Sequence, residues 1–261
     1  MNKIIVKYDP WGRMGNRMFM YAFGRILAEE RESEFYADPI HNFPNTLNHK
    51  KTNEHNTLLD PITTKTKYGN HYADIPELMN TNSDIIVNSF LQKAEYYINF
   101  RDDIKKWFEL DISSFVLPIA DELVVHIRET DYIMIGKYLS QDYYKDQIKN
   151  SGITNVTIVT DNCESEFIKQ LQSIGYKILS WEPIRTFSTV NDPSAIQDYI
   201  YMLYAKHLIL SQSTFSWWPA FLGDHETVIF PVSNKNNSLW RETPKRDDIN
   251  LYVDGFHRVV I

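Results

Sequence analysis

The chain reads as an α/β protein whose C-terminal half is a doubly wound parallel sheet. Three observations predict this. From residue 123 onward, short apolar runs alternate with longer helical ones, which is β-α-β-α spacing. The chain opens in the same way, with an apolar triplet, a glycine-bearing turn and a long helical stretch. The densest polar clusters fall just after predicted strands, where ligands of parallel sheets bind.

The elements follow in order. Ile4 to Val6 is a first strand. Gly12 and Gly15 bracket a turn, and Met14 to Glu30 is a helix. Its apolar positions (Met14, Met18, Phe19, Ala22, Phe23, Ile26, Leu27) make a stripe too wide for a surface helix, so it is expected to be largely buried. Residues 38–80 are rich in Asn, His, Thr and Pro and have poor periodicity. They form either an irregular excursion lining a cleft or a loop without fixed structure. Asp84 to Asn88 is a buried strand, and Tyr97 to Leu110 is helical. Strands are then expected at Leu123 to Ile127, Val156 to Thr160, Tyr176 to Ser180, His207 to Leu210 and Thr227 to Pro231. Helices fall near Gln141 to Asn150, Glu164 to Ser173, Pro193 to Tyr204 and Thr214 to Leu222. At 261 residues the length allows one large domain or two small ones. The division expected is 1–120 and 121–261.

Composition narrows the function. With 27 basic and 34 acidic residues the net charge is −7, so no overall basic field draws nucleic acid or an anionic membrane. The 16 Tyr and 6 Trp suit carbohydrate recognition, and equally a dense core. A single cysteine, Cys163, excludes an internal disulfide framework and a cysteine-based zinc cluster. No run of 18 apolar residues is present to span a membrane, and the first residues run straight into a strand pattern without a signal peptide. A cytoplasmic location, peripheral to a membrane or not, is the expectation.

Four segments carry chemistry. In Trp11 to Phe19, Gly12 and Gly15 permit close backbone approach, Asn16 reaches a ligand oxygen or caps the helix, and Arg13 and Arg17 offer cations suited to phosphate. The alternative is a plain turn. The run Leu123 to Tyr132 ends in His126, Arg128, Glu129, Thr130 and Asp131, a charge density that needs a ligand or mutual pairing. Arg128 offers paired donors to a diphosphate. Asp131 either holds Arg128 or takes a proton from an acceptor hydroxyl, and a structural ion pair between the two is the plain alternative. Asp161 and Asn162 read a nucleotide or cap the next helix, and Asp198 is a further acid one helix before the last segment. Ser211 to Ala220 gathers hydroxyl and amide side chains, including Ser213, Thr214 and Ser216 with Phe215, at a helix N-terminus, where N–H groups favour an anion. An ordinary capped helix with an aromatic core fits the same residues. His41, His49, His55 and His71 lack metal-ligand spacing, and no nucleophile elbow or P-loop lysine pattern occurs.

Together these segments resemble the α-1,2-fucosyltransferases of glycosyltransferase family 11. Gly12 to Arg25 is similar to that family's G-x-G-N-Q-M-F-Q-Y-A-F-G run, His126 to Tyr132 to its H-x-R-R-G-D-Y, and Gln212 to Leu222 to its N-S-T-F-S-W-W-x-A-W-L. Val87 to Tyr97 resembles its aromatic segment, and the ordered set spans residues 4 to 231. The resemblance implies a GT-B-like fold of two Rossmann-like halves, with the acceptor on the first and the nucleotide mostly on the second. It implies inverting transfer of L-fucose from GDP-fucose to the 2-hydroxyl of a galactose-containing glycan, without a metal or other cofactor, in glycan biosynthesis. Donor-binding positions implied are Gly15, Asn16, Arg17, His126, Arg128, Asp161, Asp198, Ser213, Thr214, Phe215 and Ser216. Arg128 would meet the departing charge, and Asp131 or Glu129 would serve as base.

The chain also departs from the pattern. Glu129 stands for the motif's second arginine, Thr130 for its glycine, Arg17 for a glutamine and Pro219 for a glycine. Three alternatives stand beside fucose transfer: another GDP-sugar as donor, which Glu129 motivates, a relative that binds sugar or nucleotide without catalysis, or a structural or partner-docking protein, which the 38–80 region motivates.

Overall fold

The computed structural model describes residues 1–40, 43–54, 58–179 and 193–261. His41, His55 and the expected strand end at Ser180 lie outside the described residues. The chain divides into two compact units: Met1–Asp111 with Pro244–Leu251, and Ile112–Thr243 with Tyr252–Ile261.

Unit 1 is built on a four-stranded, all-parallel sheet of order β2-β1-β4-β3. The strands are β1 (Lys3–Val6), β2 (Glu34–Ala37), β3 (Ile62–Thr63) and β4 (Ile85–Val87). Helix α1 (Met14–Glu30) has the expected bounds and buries Met18, Phe19, Tyr21, Phe23 and Leu27. Each such side chain contributes about 1.5–3 kcal/mol. Gly24 lets α1 close on the sheet, since a Cβ there would sit 2.5 Å from Val6 Cγ2. The described residues of the 38–80 excursion form short pieces, among them α2 (Thr64–Tyr68) and α3 (Ile75–Asn80), with Asp74 capping α3 through the Glu77 N–H at 3.1 Å.

The helix expected from Tyr97 is shorter in the structure. Tyr97 is fully buried and its hydroxyl donates to the Leu91 carbonyl at 2.8 Å, which ties that stretch into 3-10 turns. The α-helix begins only at α4 (Arg101–Trp107). Segment Pro244–Leu251 returns to this unit. Asn250 exchanges backbone bonds with Gln92 and Ala94, and Asp247 accepts the His71 N–H at 2.9 Å.

Unit 2 holds a six-stranded parallel sheet of order β10-β9-β8-β5-β6-β7. The strands are β5 (Leu123–Ile127), β6 (Val156–Thr160), β7 (Lys177–Leu179), β8 (His207–Ile209), β9 (Thr227–Val232) and β10 (His257–Val260). Helices α5 (Thr130–Met134), α6 (Gln141–Ser151), α7 (Glu166–Ser173), α8 (Pro193–Leu203) and α9 (Thr214–Leu222) connect them. β5 and β6 are buried throughout, as strands covered on both faces are. From β5 the chain steps outward through β6 to β7, then returns to β8 on the other side of β5 and goes on to β9 and β10. The β5/β8 boundary is therefore the topological switch point, where a crevice opens beyond the carboxyl ends.

Candidate active site

Everything at the β5/β8 boundary follows from two strand ends. β5 delivers His126 and then Arg128, and β8 delivers Ser211 and then the start of α9. His126 Nδ1 lies 2.7 Å from Ser211 Oγ, directly across the boundary. The His126 ring also meets Phe215 with centroids 5.8 Å apart. The mid-chain cluster and the hydroxyl-rich helix mouth are thus neighbours within one unit.

Ser213 caps α9. Its extended backbone frees the side chain, whose oxygen accepts the Phe215 N–H at 3.3 Å. Ser216 is fully buried and donates to the Ser213 carbonyl at 3.1 Å. Thr214 and Phe215 remain half-buried at the mouth. Behind them Trp217 stacks on Phe221 at 4.6 Å, anchoring the helix in the core. Gln212 turns away, donating to Ser238 at 2.9 Å and accepting the Leu239 N–H at 2.9 Å.

Arg128 is fixed by two carboxylates. Nη2 and Nε reach Asp131 Oδ1 at 2.7 and 3.0 Å, and Nη1 reaches Asp161 Oδ2 at 2.8 Å. Further hydrogens on Nη1 and Nη2 are left for another oxygen. Its guanidinium also lies 5.6 Å from the centre of the Tyr132 ring. Burial pushes the Tyr132 phenol up to about 12, and that hydroxyl is hydrogen-bonded to Ser213. Asp161 does more than pair: Oδ1 accepts the Glu129 N–H at 2.9 Å and Oδ2 takes the Thr130 hydroxyl. The 128–131 turn is thereby built around one acid from β6.

Glu129 faces inward and is 2% exposed. Burial raises its pKa, while the neighbouring Ser165 and Tyr138 hydroxyls pull it the other way. Asp131 stays nearer the surface, with 22% of its side chain exposed. Asp198 is buried on α8. Gly15, Asn16 and Arg17 belong to unit 1. There Asn16 accepts from Gln92 at 2.9 Å, and Arg17 donates to the Gly12 carbonyl at 2.9 Å while lying over Tyr8. Sequence reasoning missed α5, the inward turn of Glu129 and the roles of Tyr138 and Ser165. Nothing local marks Tyr138 or Ser165 as partners of position 129.

The model of the family "Glycosyl transferase family 11" matches residues 55–251. The chain belongs to glycosyl transferase family 11. No curated protein matches it. Among solved structures it is similar to NodZ α-1,6-fucosyltransferase soaked with GDP-fucose, with TM-score 0.57 and 10% identity over 91% of this chain and 97% of that one. It is also similar to a mutant of Arabidopsis thaliana FUT1 in complex with GDP, with TM-score 0.56 and 10% identity over 92% and 72%. A third is the selenomethionine fucosyltransferase NodZ from Bradyrhizobium, with TM-score 0.51 and 10% identity over 85% and 93%. This family 11 chain shares their GT-B-like α/β fold. Among its described residues no helix is long and apolar enough to cross a membrane.

Proposed function

We propose that this family 11 chain transfers L-fucose from GDP-fucose to the 2-hydroxyl of a galactoside, with inversion and without a metal. Unit 2 takes the donor, and unit 1 takes the acceptor. The observation that carries the reading is Arg128, held by Asp131 and Asp161 at the β5/β8 switch point beside the N-terminus of α9. The GDP-fucose and GDP present in the NodZ and FUT1 structures, which share the fold, support the nucleotide.

The chemistry follows from charge. As the bond from the sugar to the diphosphate breaks, the sugar gains oxocarbenium character and the phosphate oxygens gain negative charge. Arg128 and the α9 N–H groups supply fixed positive potential where that charge grows. Inversion needs one base to take the proton of the attacking hydroxyl. We assign Asp131, because it is the more exposed carboxylate of the 128–131 turn, whereas Glu129 is enclosed. Glu129 also keeps its charge off the diphosphate by facing Ser165 and Tyr138. The departure from the motif therefore does not oppose a GDP-sugar.

A thermal-shift series with GDP, UDP and CMP tests the donor class. GDP in excess of Kd raises stability by RT ln(1 + [L]/Kd), and the other two do so weakly. A donor panel then compares GDP-fucose with GDP-mannose, with and without EDTA. Turnover of GDP-fucose that chelation leaves unchanged is expected. Preference for another GDP-sugar, or nucleotide binding with no turnover on any galactoside, would replace this reading.

A further inference from the structure

We infer that the turn between β1 and α1 carries a sugar-stacking platform, the Trp11 indole, which takes the apolar C–H face of the acceptor galactoside; this rests on the transferase reading above. Trp11 is 90% exposed, the most exposed large apolar side chain among the described residues. A ring of that size left in water is unfavourable by the measure of buried area, and Trp is among the side chains enriched at the hot spots of recognition surfaces.

The indole is not on a slack loop. Asp9 Oδ1 accepts the Trp11 N–H at 2.9 Å, and the Asp9 carbonyl accepts the Gly12 N–H at 2.9 Å. Arg17 Nε donates to the Gly12 carbonyl at 2.9 Å. A turn tied at three points fixes the backbone that bears the ring, so less of the loop has to be ordered on binding.

The place of Trp11 in unit 1 points the same way. From β1 the chain goes to β2 on one side, then returns through β3 and β4 on the other. The β1/β4 boundary is thus the switch point of this smaller sheet, and Trp11 follows the carboxyl end of β1. After β4 comes Phe90, half-buried, whose Cε1 is 3.6 Å from where a Cβ on Gly12 would stand.

Leu91 then adopts φ +52°, a left-handed conformation that a bulky aliphatic residue resists. It is held there by its N–H to the Asn70 carbonyl at 2.9 Å and by the Tyr97 hydroxyl on its own carbonyl at 2.8 Å. Leu91 is fully buried, so this conformation fixes the course of the chain behind Phe90.

Polar side chains also follow the strands of this sheet. Asp9 Oδ2 lies 3.9 Å from Lys65 Nζ, and Asn16 pairs with Gln92. A galactoside suits such a surface because its axial 4-hydroxyl leaves one ring face as contiguous C–H groups, while the remaining hydroxyls seek carboxylate and amide partners.

The test follows the Trp11 indole N–H in two-dimensional NMR, identified by its loss in Trp11→Phe. Methyl β-galactoside is titrated to about 50 mM, and GDP is titrated separately. A saturable shift with the galactoside and none with GDP is the expected result. Silence toward the galactoside, or a shift with GDP alone, overturns the platform. GDP thermal shift in the same samples separates the two levels: stabilisation by GDP with a silent Trp11 removes the platform and leaves the transferase reading standing. In turnover, Trp11→Ala should raise acceptor KM about tenfold while leaving GDP affinity unchanged, and Trp11→Tyr should restore most of the loss. Equal KM in Trp11→Ala and wild type overturns the assignment.

Discussion

Asp161, at the end of β6, sits 2.8 Å from Nη1 of Arg128, at the end of the adjacent strand β5. The same carboxylate accepts the Glu129 backbone N–H, so one acid orients both the cation and the turn that bears it. An arginine kept in place before the ligand arrives need not reorganise as charge develops, which is the condition for electrostatic catalysis.

Arg128→Ala should lower turnover by about 10²–10³, the effect of losing one donor to developing charge. A donor-consumption assay checks it, with circular dichroism confirming the fold. Unchanged turnover would remove Arg128 from the site.

Asp161→Asn keeps the shape and removes the charge that holds Arg128. A charged hydrogen bond contributes about 1.5–3 kcal/mol, so GDP affinity or turnover should drop by about 10- to 100-fold. The fall should be smaller than for Arg128→Ala, because the guanidinium itself remains. Calorimetry with GDP and single-turnover rates measure the two parts.

Glu129→Gln should stabilise the protein in a pH-dependent way. Burial raises the Glu129 pKa, so the folded state holds that proton more tightly than the unfolded chain. The favourable contribution is full below the unfolded value of about 4.3 and is lost as pH rises through the raised one. Glutamine stays neutral throughout. Urea titrations should show equal stability near pH 4 and a more stable variant at pH 7. A difference that does not change with pH would refute this account.

Ser213→Ala removes the cap of α9 and should lower unfolding free energy by about 1 kcal/mol. Because the same hydroxyl meets Tyr132 beside Arg128, GDP binding should weaken as well. A gain in stability would show that the hydroxyl is not capping the helix.

Much of this was legible locally. α1, β5, β6 and α9 have the bounds expected from periodicity and caps, because those signals act over three or four residues. The carboxyl-end rule also singles out His126, Arg128 and Ser213 from the sequence. Other elements left weaker marks. β2 and β10 are short four-residue edge elements, and α5 is a single turn closing over Arg128, so none carries enough periodicity to stand out.

The sequence by itself determined the alternating elements, the order of the polar segments and the chemistry each segment can offer. Tertiary structure alone decided which charge meets which. Pairing Ile127 with Thr160 places the residues that follow, Arg128 and Asp161, side by side, while Glu129 turns into the core and Asp131 stays near water. The reason is physical: strand register couples residues more than thirty positions apart, and no rule that works over a helical turn reaches that far.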